Sequence, residues 1–333
     1  MMQPYTPSRT LIIQTAFPGD VILATSVAES LHRAFPEMAI DFLVKEGNEQ
    51  LFRGHPFIGQ VITLQKNGGK LKSFSDKIKD VRGKGYDLVL NLHRFFSSGL
   101  ITTLSGAKEK RGFRKNPLSS FYDKAFPHVI GDGRHETDRN FELIKDIVSG
   151  TREKPRLYPG AENRKNIEPY CKRGSYICIA PASVWPTKQF PVESWKAFMA
   201  KVPEHYSIYL IGAPGDHQLA SKLENSHCRA QNLCGNLSLL DSAALMQKAE
   251  MNYVNDSAPL HLCSALNAPV AAIFCSTVPA FGFGPLSDHQ FVIETPKPLE
   301  CRPCGLHGHK KCPEGHFLCA YNITSEQLLK CLN

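Results

Sequence analysis

The sequence predicts an α/β protein built from two Rossmann-like, doubly wound parallel sheets that face each other across a cleft. Two stretches of alternating strand and helix patterns, separated by a segment rich in proline, glycine and charge, indicate this architecture. The apolar runs YDLVLNL (86–92) and PVAAIFC (269–275) are typical of parallel strands with both faces covered by helices. Ligands of such sheets bind at the carboxyl ends of the strands, so we expect functional residues on the loops that follow strands.

The first stretch, assigned to residues 1–155, begins with a β-branched apolar run over 11–16 that ends at Phe-Pro-Gly-Asp. The next residues have apolar side chains at helical spacing, which predicts a helix over 21–35. The same patterns predict further strands over 39–44, 61–64 and 86–92, and further helices over 71–81 and 97–104.

The region 151–174 carries no apolar period, and we predict an interdomain linker over 156–174. The alternation then starts again in a second domain over 175–333. Here the patterns predict strands over 176–180, 207–212, 251–254, 269–275 and 291–294, and helices over 192–201, 216–224, 239–249, 259–266 and 324–332.

Composition limits the classes of protein without naming a partner. The chain has 333 residues, of which 42% are hydrophobic and 21% charged, as in an ordinary soluble protein of about two domains. The net charge of +8 favours acidic partners, among which phosphorylated small molecules, anionic lipid headgroups and nucleic acid all remain open. No apolar run is long enough to span a membrane, and the first residues lack the pattern of a signal peptide, so we expect a cytosolic protein.

The first loop that contains a candidate functional residue is Pro18-Gly19-Asp20, directly after the first predicted strand. Asp20 has two interpretations, a cap on the following helix or a carboxylate that acts as a general base. The loop is not a G-x-G-x-x-G motif, which argues against a dinucleotide-dependent oxidoreductase.

Three loops of the second half also follow strands. Lys188 lies in the proline-bounded loop 181–191, where its charge is placed to bind a phosphate. The segment 255–261 opens a helix whose first amides form an anion site, unless it is simply a capped helix with His261 packed inside. Asp216, in the turn 212–216, is a weaker candidate for binding ribose hydroxyls.

Taken in order, four segments of the chain resemble those of one enzyme family. The segments are GDVILATSVAESLHRAFP, PASVWPTKQFPVESW, LIGAPGD and NDSAPLHLCSALNAPVAAIF, and the resemblance covers nearly the whole chain. The family is that of the ADP-heptose:lipopolysaccharide heptosyltransferases, inverting glycosyltransferases of the two-Rossmann GT-B architecture. The resemblance implies transfer of heptose from ADP-L-glycero-D-manno-heptose to a lipopolysaccharide inner-core acceptor, with inversion at the anomeric carbon. It implies no catalytic cofactor, no nucleic-acid partner, and a cytoplasmic enzyme in peripheral contact with the cytoplasmic face of the inner membrane.

The resemblance also implies roles for individual residues. Asp20 matches the acidic residue proposed to deprotonate the acceptor, Lys188 the lysine that contacts the donor phosphates, and Asp256 the residue that holds heptose hydroxyls. Ala258-Pro259 stands where the family often has glycine, so one amide donor is lost and others must form the diphosphate site. The expected donor-binding set also contains Ser183, Asp216, Ser257, Ala258, Leu260 and His261, and the expected acceptor-binding set is Gly19, His93, Arg94 and Arg111.

Arg111 belongs to a basic stretch over 108–115, which suits the phosphates or acidic sugars of an acceptor. The alternative is a solvated loop in which Phe113 belongs to the core. Both interpretations are open from the sequence.

Four of the eleven cysteines, Cys301, Cys304, Cys312 and Cys319, lie in one short segment. The C-x2-C pair followed by two more thiols indicates a structural zinc site rather than a catalytic one. The second pair lacks the C-x2-C spacing, so free or reversibly oxidised thiols, or an iron–sulfur cluster, remain alternatives.

Two other functions compete with heptosyl transfer. One is a GT-B glycosyltransferase that uses another nucleotide sugar in cell-envelope glycan synthesis. The other, of a different class, is a zinc-containing nucleic-acid-binding protein, which would leave both α/β halves unexplained.

Overall fold

The computed structural model of the chain describes residues 7–65 and 71–332, and it divides into two compact units. The first unit comprises the chain up to Ile130 and Arg134–Tyr158, and the second comprises Gly131–Gly133 and the chain from Pro159 onward. The change of unit after Tyr158 falls inside the segment predicted as the linker.

The first unit is built on a parallel sheet of six described strands. They are β1 (Arg9–Gln14), β2 (Ala39–Lys45), β3 (Ile58–Leu64), β4 (Leu88–Asn91), β5 (Glu109–Phe113) and β6 (Lys124–Phe126), in the spatial order β3-β2-β1-β4-β5-β6. The helices described here are α1 (Pro18–Ala34), α2 (Leu71–Gly83), α3 (Phe96–Leu104) and α4 (Glu136–Phe141). The strand order reverses between β1 and β4, which is the point at which a doubly wound sheet binds its ligand.

The second unit repeats this topology. Its described strands are β7 (Tyr176–Ala180), β8 (Ser207–Leu210), β9 (Ala230–Asn232), β10 (Met251–Asn255), β11 (Val270–Ile273) and β12 (Gln290–Ile293), in the parallel order β12-β11-β10-β7-β8-β9. Its helices are α5 (Ala161–Cys171), α6 (Val192–Met199), α7 (His217–Glu224), α8 (Leu239–Gln247), α9 (Ala258–Leu266), α10 (Leu318–Tyr321) and α11 (Ser325–Leu329). The reversal point here lies between β7 and β10. The predicted fold class of two doubly wound parallel sheets is confirmed.

Each unit has its own hydrophobic core beside the central strands. Leu11, Ile13 and Leu43 are fully buried in the first unit. Trp195 and Phe198 are fully buried in the second, where Trp195 packs edge-on against Phe190. Burying one large apolar side chain stabilises the fold by roughly 1.5–3 kcal/mol, so each unit is held together by its own core.

Helix α5 escaped prediction because polar contacts, rather than an apolar period, hold it. Helix α5 lies inside the predicted linker 156–174, which therefore is mostly not a linker but part of the second unit. Of its residues only Ile167 is buried, and its Asn163 and Asn166 amides donate to Asp241 Oδ1 at 2.8 and 3.2 Å. The short strands β5, β6 and β9 and the short helices α4 and α10 were also not predicted.

Within the described ranges, no helix combines the length and the apolar character that crossing a bilayer requires.

Candidate active site

In the second unit, the reversal point between β7 and β10 brings two of the predicted loops together. We call residues 181–191, which follow β7, the lysine loop. Asn255, the last residue of β10, anchors both ends of it. Its Nδ2 donates to the carbonyls of Ala180 and Pro181 at 3.3 and 2.9 Å, and its Oδ1 accepts from the Phe190 amide at 2.9 Å. The sheet thus fixes the loop that carries the predicted phosphate-binding lysine.

Lys188 and Asp256 form an ion pair across this reversal point. Lys188 Nζ lies 2.6 Å from Asp256 Oδ2, and both side chains are largely withdrawn from water. The Thr277 hydroxyl, from the loop after β11, donates to the same carboxylate oxygen at 2.6 Å. A pair shielded in this way is held in a defined position, and a bound diphosphate would share the lysine that now contacts Asp256.

Helix α9 begins beside this pair. Ser257 is its N-cap residue, but its hydroxyl contacts the carbonyls of Ala182 and Asn255 instead of capping the helix. The Leu260 amide donates to the Ser257 carbonyl at 3.0 Å, and its side chain is fully buried. The amide of Leu260 is thus already bonded, and we remove this residue from the predicted donor-binding set. The backbone amides of Ser257 and Ala258 remain candidates at this helix start.

Three further donor-site candidates also follow strand ends of the second unit. The Ser183 carbonyl accepts from Gln189 Nε2 at 2.7 Å, which closes the lysine loop. His261 is buried in α9, with its ring 6.4 Å from that of Phe283, as the packing alternative expected. Asp216 Oδ2 accepts from the Ala213 amide at 2.8 Å and stabilises its own turn. The roles of these three residues toward a donor stay predictions.

In the first unit, Asp20 is the third residue of α1, directly after β1, and Phe17 is the N-cap. A carboxylate in the first helical turn is favoured by the helix dipole. Desolvation, and next the negative charge of Glu136, raise the pKa of Asp20 to about 6. Amide hydrogen bonds and the charge of Arg94 act in the opposite direction. A carboxyl with this pKa is ionised at neutral pH and is well matched to take up a proton.

The loop after β4 lies next to Asp20's loop, because β1 and β4 are neighbours in the sheet. His93 Nδ1 and Thr15 Oγ1 are 2.8 Å apart, and this contact joins the two loops. Arg94 is exposed, with its guanidinium 5.6 Å from the centre of the Phe95 ring. Gly19 is buried in the first turn of α1. The structure thus places Gly19, Asp20, His93 and Arg94 at the carboxyl edge of the first sheet, where the carboxyl ends of its strands lie.

The structure contradicts the prediction that Arg111 binds the acceptor. Arg111 lies in β5 with none of its side chain exposed, and its guanidinium pairs with Glu109 and Asp146 and donates to the Leu143 carbonyl. Since its guanidinium is buried and already bound to two carboxylates and a carbonyl, this residue is unsuitable for holding an acceptor. Phe113 of the same strand is buried as well, which confirms the core alternative for that residue.

Comparison with known proteins identifies the family. Residues 76–316, well over half of the chain, match the sequence model of glycosyltransferase family 9 (heptosyltransferase). The chain belongs to this family.

Individual relatives agree with the assignment. The chain is 26% identical to lipopolysaccharide heptosyltransferase 1 of Pseudomonas aeruginosa, over 89% of this chain and 86% of the relative. It is 24% identical to lipopolysaccharide heptosyltransferase 2 of Escherichia coli K12, over 98% and 97% of the two chains.

The solved structure of Escherichia coli ADP-heptose lps heptosyltransferase II has a TM-score of 0.80 to this chain at 20% identity, covering 98% of this chain and 97% of that one. A family 9 glycosyl transferase from Veillonella parvula has a TM-score of 0.81 at 21% identity, covering 97% and 95%. These structures share the fold of this glycosyltransferase.

The cysteine-rich segment of this glycosyltransferase leaves the zinc prediction open. Cys301, Cys304 and Cys312 are half-buried and Cys319 is buried. Burial and the neighbouring thiols of the segment raise the pKa of Cys319 to about 11, and the pKa of Cys304 also lies above its ordinary value. Among the residues the structure describes, no three metal-ligating side chains converge closely enough to hold an ion.

Sequence reasoning missed four hydroxyl or amide side chains that hold the candidate loops in place, each within its own unit. They share one signal, which is a small polar residue at or shortly after the carboxyl end of a strand or in the lysine loop. The residues are Thr15, Thr187, Asn255 and Thr277.

Proposed function

We propose that this glycosyltransferase transfers heptose from ADP-L-glycero-D-manno-heptose to a lipopolysaccharide inner-core acceptor, with inversion at the anomeric carbon. The observation that carries the proposal is the Lys188–Asp256 ion pair beside the start of α9, which combines a cation and backbone amides suited to a diphosphate. The similarity to lipopolysaccharide heptosyltransferases 1 and 2 supports the choice of heptose and of lipopolysaccharide.

In the proposed reaction, an acceptor hydroxyl attacks the anomeric carbon of the donor while the bond from that carbon to the diphosphate oxygen breaks. Asp20 takes the hydroxyl proton, and its pKa of about 6 suits this step. The negative charge that develops on the departing ADP is stabilised by Lys188 and by the amides of Ser257 and Ala258. Asp256 accepts a hydrogen bond from a heptose hydroxyl. The chain's own groups supply every charge in this scheme, and we propose no catalytic cofactor.

We assign acceptor binding to the first unit, through Gly19, His93 and Arg94, and donor binding to the second. Arg94 is an exposed cation near Asp20, which suits the phosphates and acidic sugars of an inner core. With a net charge of +8, we propose that the enzyme works in the cytoplasm and contacts the anionic inner membrane peripherally.

We also propose a structural zinc ion on Cys301, Cys304, Cys312 and Cys319, because four thiols within one short segment of the sequence match the ligand preference of zinc. The test is elemental analysis of the purified protein. About one zinc per chain, lost on reaction of the thiols, supports the site, and metal-free active protein contradicts it.

The proposed reaction is tested by incubating the purified protein with ADP-heptose, another ADP-sugar, a UDP-sugar and a GDP-sugar, each with and without heptose-deficient lipopolysaccharide. Release of nucleoside diphosphate and the mass of the acceptor are measured. We expect ADP release only from ADP-heptose with acceptor, together with an acceptor that is heavier by one heptose. Release from the UDP- or GDP-sugar alone would reject the assignment of the donor.

A further inference from the structure

Part of the cysteine-rich region forms hydrogen bonds with the loops of the proposed donor site. We call residues 302–309 the brace segment. The Arg302 guanidinium donates to the carbonyls of Phe274, Cys275 and Thr277 at 3.1, 2.6 and 2.7 Å. The Cys304 amide donates to the Ser276 carbonyl at 2.9 Å. These bonds fix the turn after β11, which contains the threonine that contacts Asp256.

The other end of the brace segment holds the lysine loop through Thr187. The His309 amide donates to Thr187 Oγ1 at 2.7 Å, and the Thr187 amide donates back to the His309 carbonyl at 3.2 Å. The Ser276 hydroxyl donates to the same Thr187 oxygen at 3.1 Å. Thr187 is 4% exposed, so its hydroxyl accepts two hydrogen bonds in a site that is nearly closed to water.

Gly308 shows how tightly the two segments meet. A Cβ at this position would lie 2.9 Å from Thr187 Oγ1 and 3.3 Å from Lys188 Cγ, and the backbone φ is +78°. Only glycine accepts this conformation and this approach without strain. The brace segment therefore lies close to the stem of Lys188 and contacts the residue before it.

The brace segment thus supports both members of the Lys188–Asp256 pair. Thr187 fixes the backbone next to the lysine, and Thr277, whose carbonyl Arg302 binds, fixes the carboxylate. A lysine side chain is flexible, so a fixed backbone and a contacted stem reduce the conformations lost when it binds an anion.

We propose that Thr187 is a positioning residue, which holds Lys188 in register for the diphosphate of the donor by locking the lysine loop onto the brace segment. The proposal rests on the donor role of Lys188 given above, and it adds to that role a residue that itself touches no substrate.

The test is a double-mutant cycle on the affinity for ADP, measured by calorimetry on the full chain for wild type, Thr187→Val, Lys188→Met and the double variant. Valine keeps the shape of threonine and removes the oxygen that accepts both bonds. We expect Thr187→Val to weaken ADP binding by roughly tenfold, from lost positioning and two unpaired buried donors. In the Lys188→Met background, the same change should weaken binding by less than about twofold.

Thr187→Ser retains the hydroxyl and should bind ADP within about threefold of wild type, since the positioning bonds remain. Thr10→Val removes a buried hydroxyl from the start of β1 in the first unit, and it serves as the matched control with unchanged ADP affinity. Ser276→Ala removes only one of the two bonds to Thr187, so it gives a milder version of the test if Thr187→Val folds poorly. Its smaller weakening should also vanish in the Lys188→Met background.

The outcomes separate the two proposals. Equal weakening by Thr187→Val with and without Lys188 would show that Thr187 acts through general stability, which overturns the positioning role alone. Wild-type affinity in Thr187→Val overturns it as well. If Lys188→Met itself binds ADP as wild type does, the donor role of Lys188 fails and the positioning role fails with it.

Discussion

The two units share one strand order but differ in what lies at the carboxyl ends of their two central strands. In the first unit, a hydroxyl–imidazole contact between Thr15 and His93 joins the loops after β1 and β4. In the second, the ion pair of Lys188 and Asp256 joins the loops after β7 and β10. Equivalent positions of the two sheets therefore carry different side chains, and the two sites differ in their chemistry for that reason.

The difference is also electrostatic. The carboxyl edge of the first sheet carries Asp20, and its surroundings raise the pKa of this carboxyl to about 6 and so disfavour its ionisation. The second edge holds a lysine whose charge is already partnered by Asp256. One edge is thus suited to accept a proton, and the other is suited to stabilise negative charge.

The largest expected effect comes from removing the base of the first edge. Asp20→Asn keeps the size of the side chain but cannot take up the acceptor proton. We expect kcat for transfer to fall by about 10²- to 10⁴-fold, with the affinity for ADP unchanged, because ADP binding is assigned to the other unit. Steady-state transfer rates and ADP titration measure the two quantities. Turnover within about tenfold of wild type would place the base elsewhere.

The same variant controls for unfolding. The pKa of Asp20 is raised in the folded state, so the native protein binds more protons than the unfolded chain between pH 3.8 and about 6. This carboxyl therefore contributes less stability as pH rises through that window. Asp20→Asn removes the unfavourable ionisation, and its unfolding midpoint at pH 7 should be no lower than that of wild type.

The doubly wound fold class, most element positions and the loops that carry the candidate residues follow from the sequence. Buried parallel strands leave continuous apolar runs such as 86–92 and 269–275, and the loops that follow strands carry Asp20, Lys188 and Asp256. Helix α5 escaped because its contact with Asp241 is made by asparagine amides, which leave no periodic pattern. The lysine–aspartate contact itself depends on a spatial neighbour relation between β7 and β10, which local patterns do not contain.

Arg111 shows the limit of charge as a signal. Arg111 lies in a basic stretch and Lys188 in a loop, yet Arg111 is fully buried with Glu109 and Asp146 as partners, while Lys188 lies in the loop after a strand's carboxyl end. The burial of β5 was hidden because one of its three consecutive buried residues carries a charge. Placement on the fold, rather than net charge, separates a structural cation from a ligand-binding one.

The smallest expected effect is a shift in the acidic limb of the pH profile, and it tests the electrostatic side of the comparison. Glu136 raises the pKa of Asp20 and Arg94 lowers it, so neutralising each should move the limb in opposite directions. Glu136→Gln should move the fall in kcat/KM to lower pH and Arg94→Gln to higher pH, each by about one pH unit or less. Glutamine keeps an acceptor for Arg139 and His128, the neighbours of Glu136.

Raised salt provides the control for this pair of variants. Arg94 is exposed and Glu136 is buried, so screening should abolish the shift caused by Arg94→Gln before that caused by Glu136→Gln. Profiles recorded at low and at high ionic strength measure this difference. Shifts in the same direction, or a limb that neither change moves, would mean that a group other than Asp20 controls the profile, since a carboxyl near both charges responds to their removal with opposite sign.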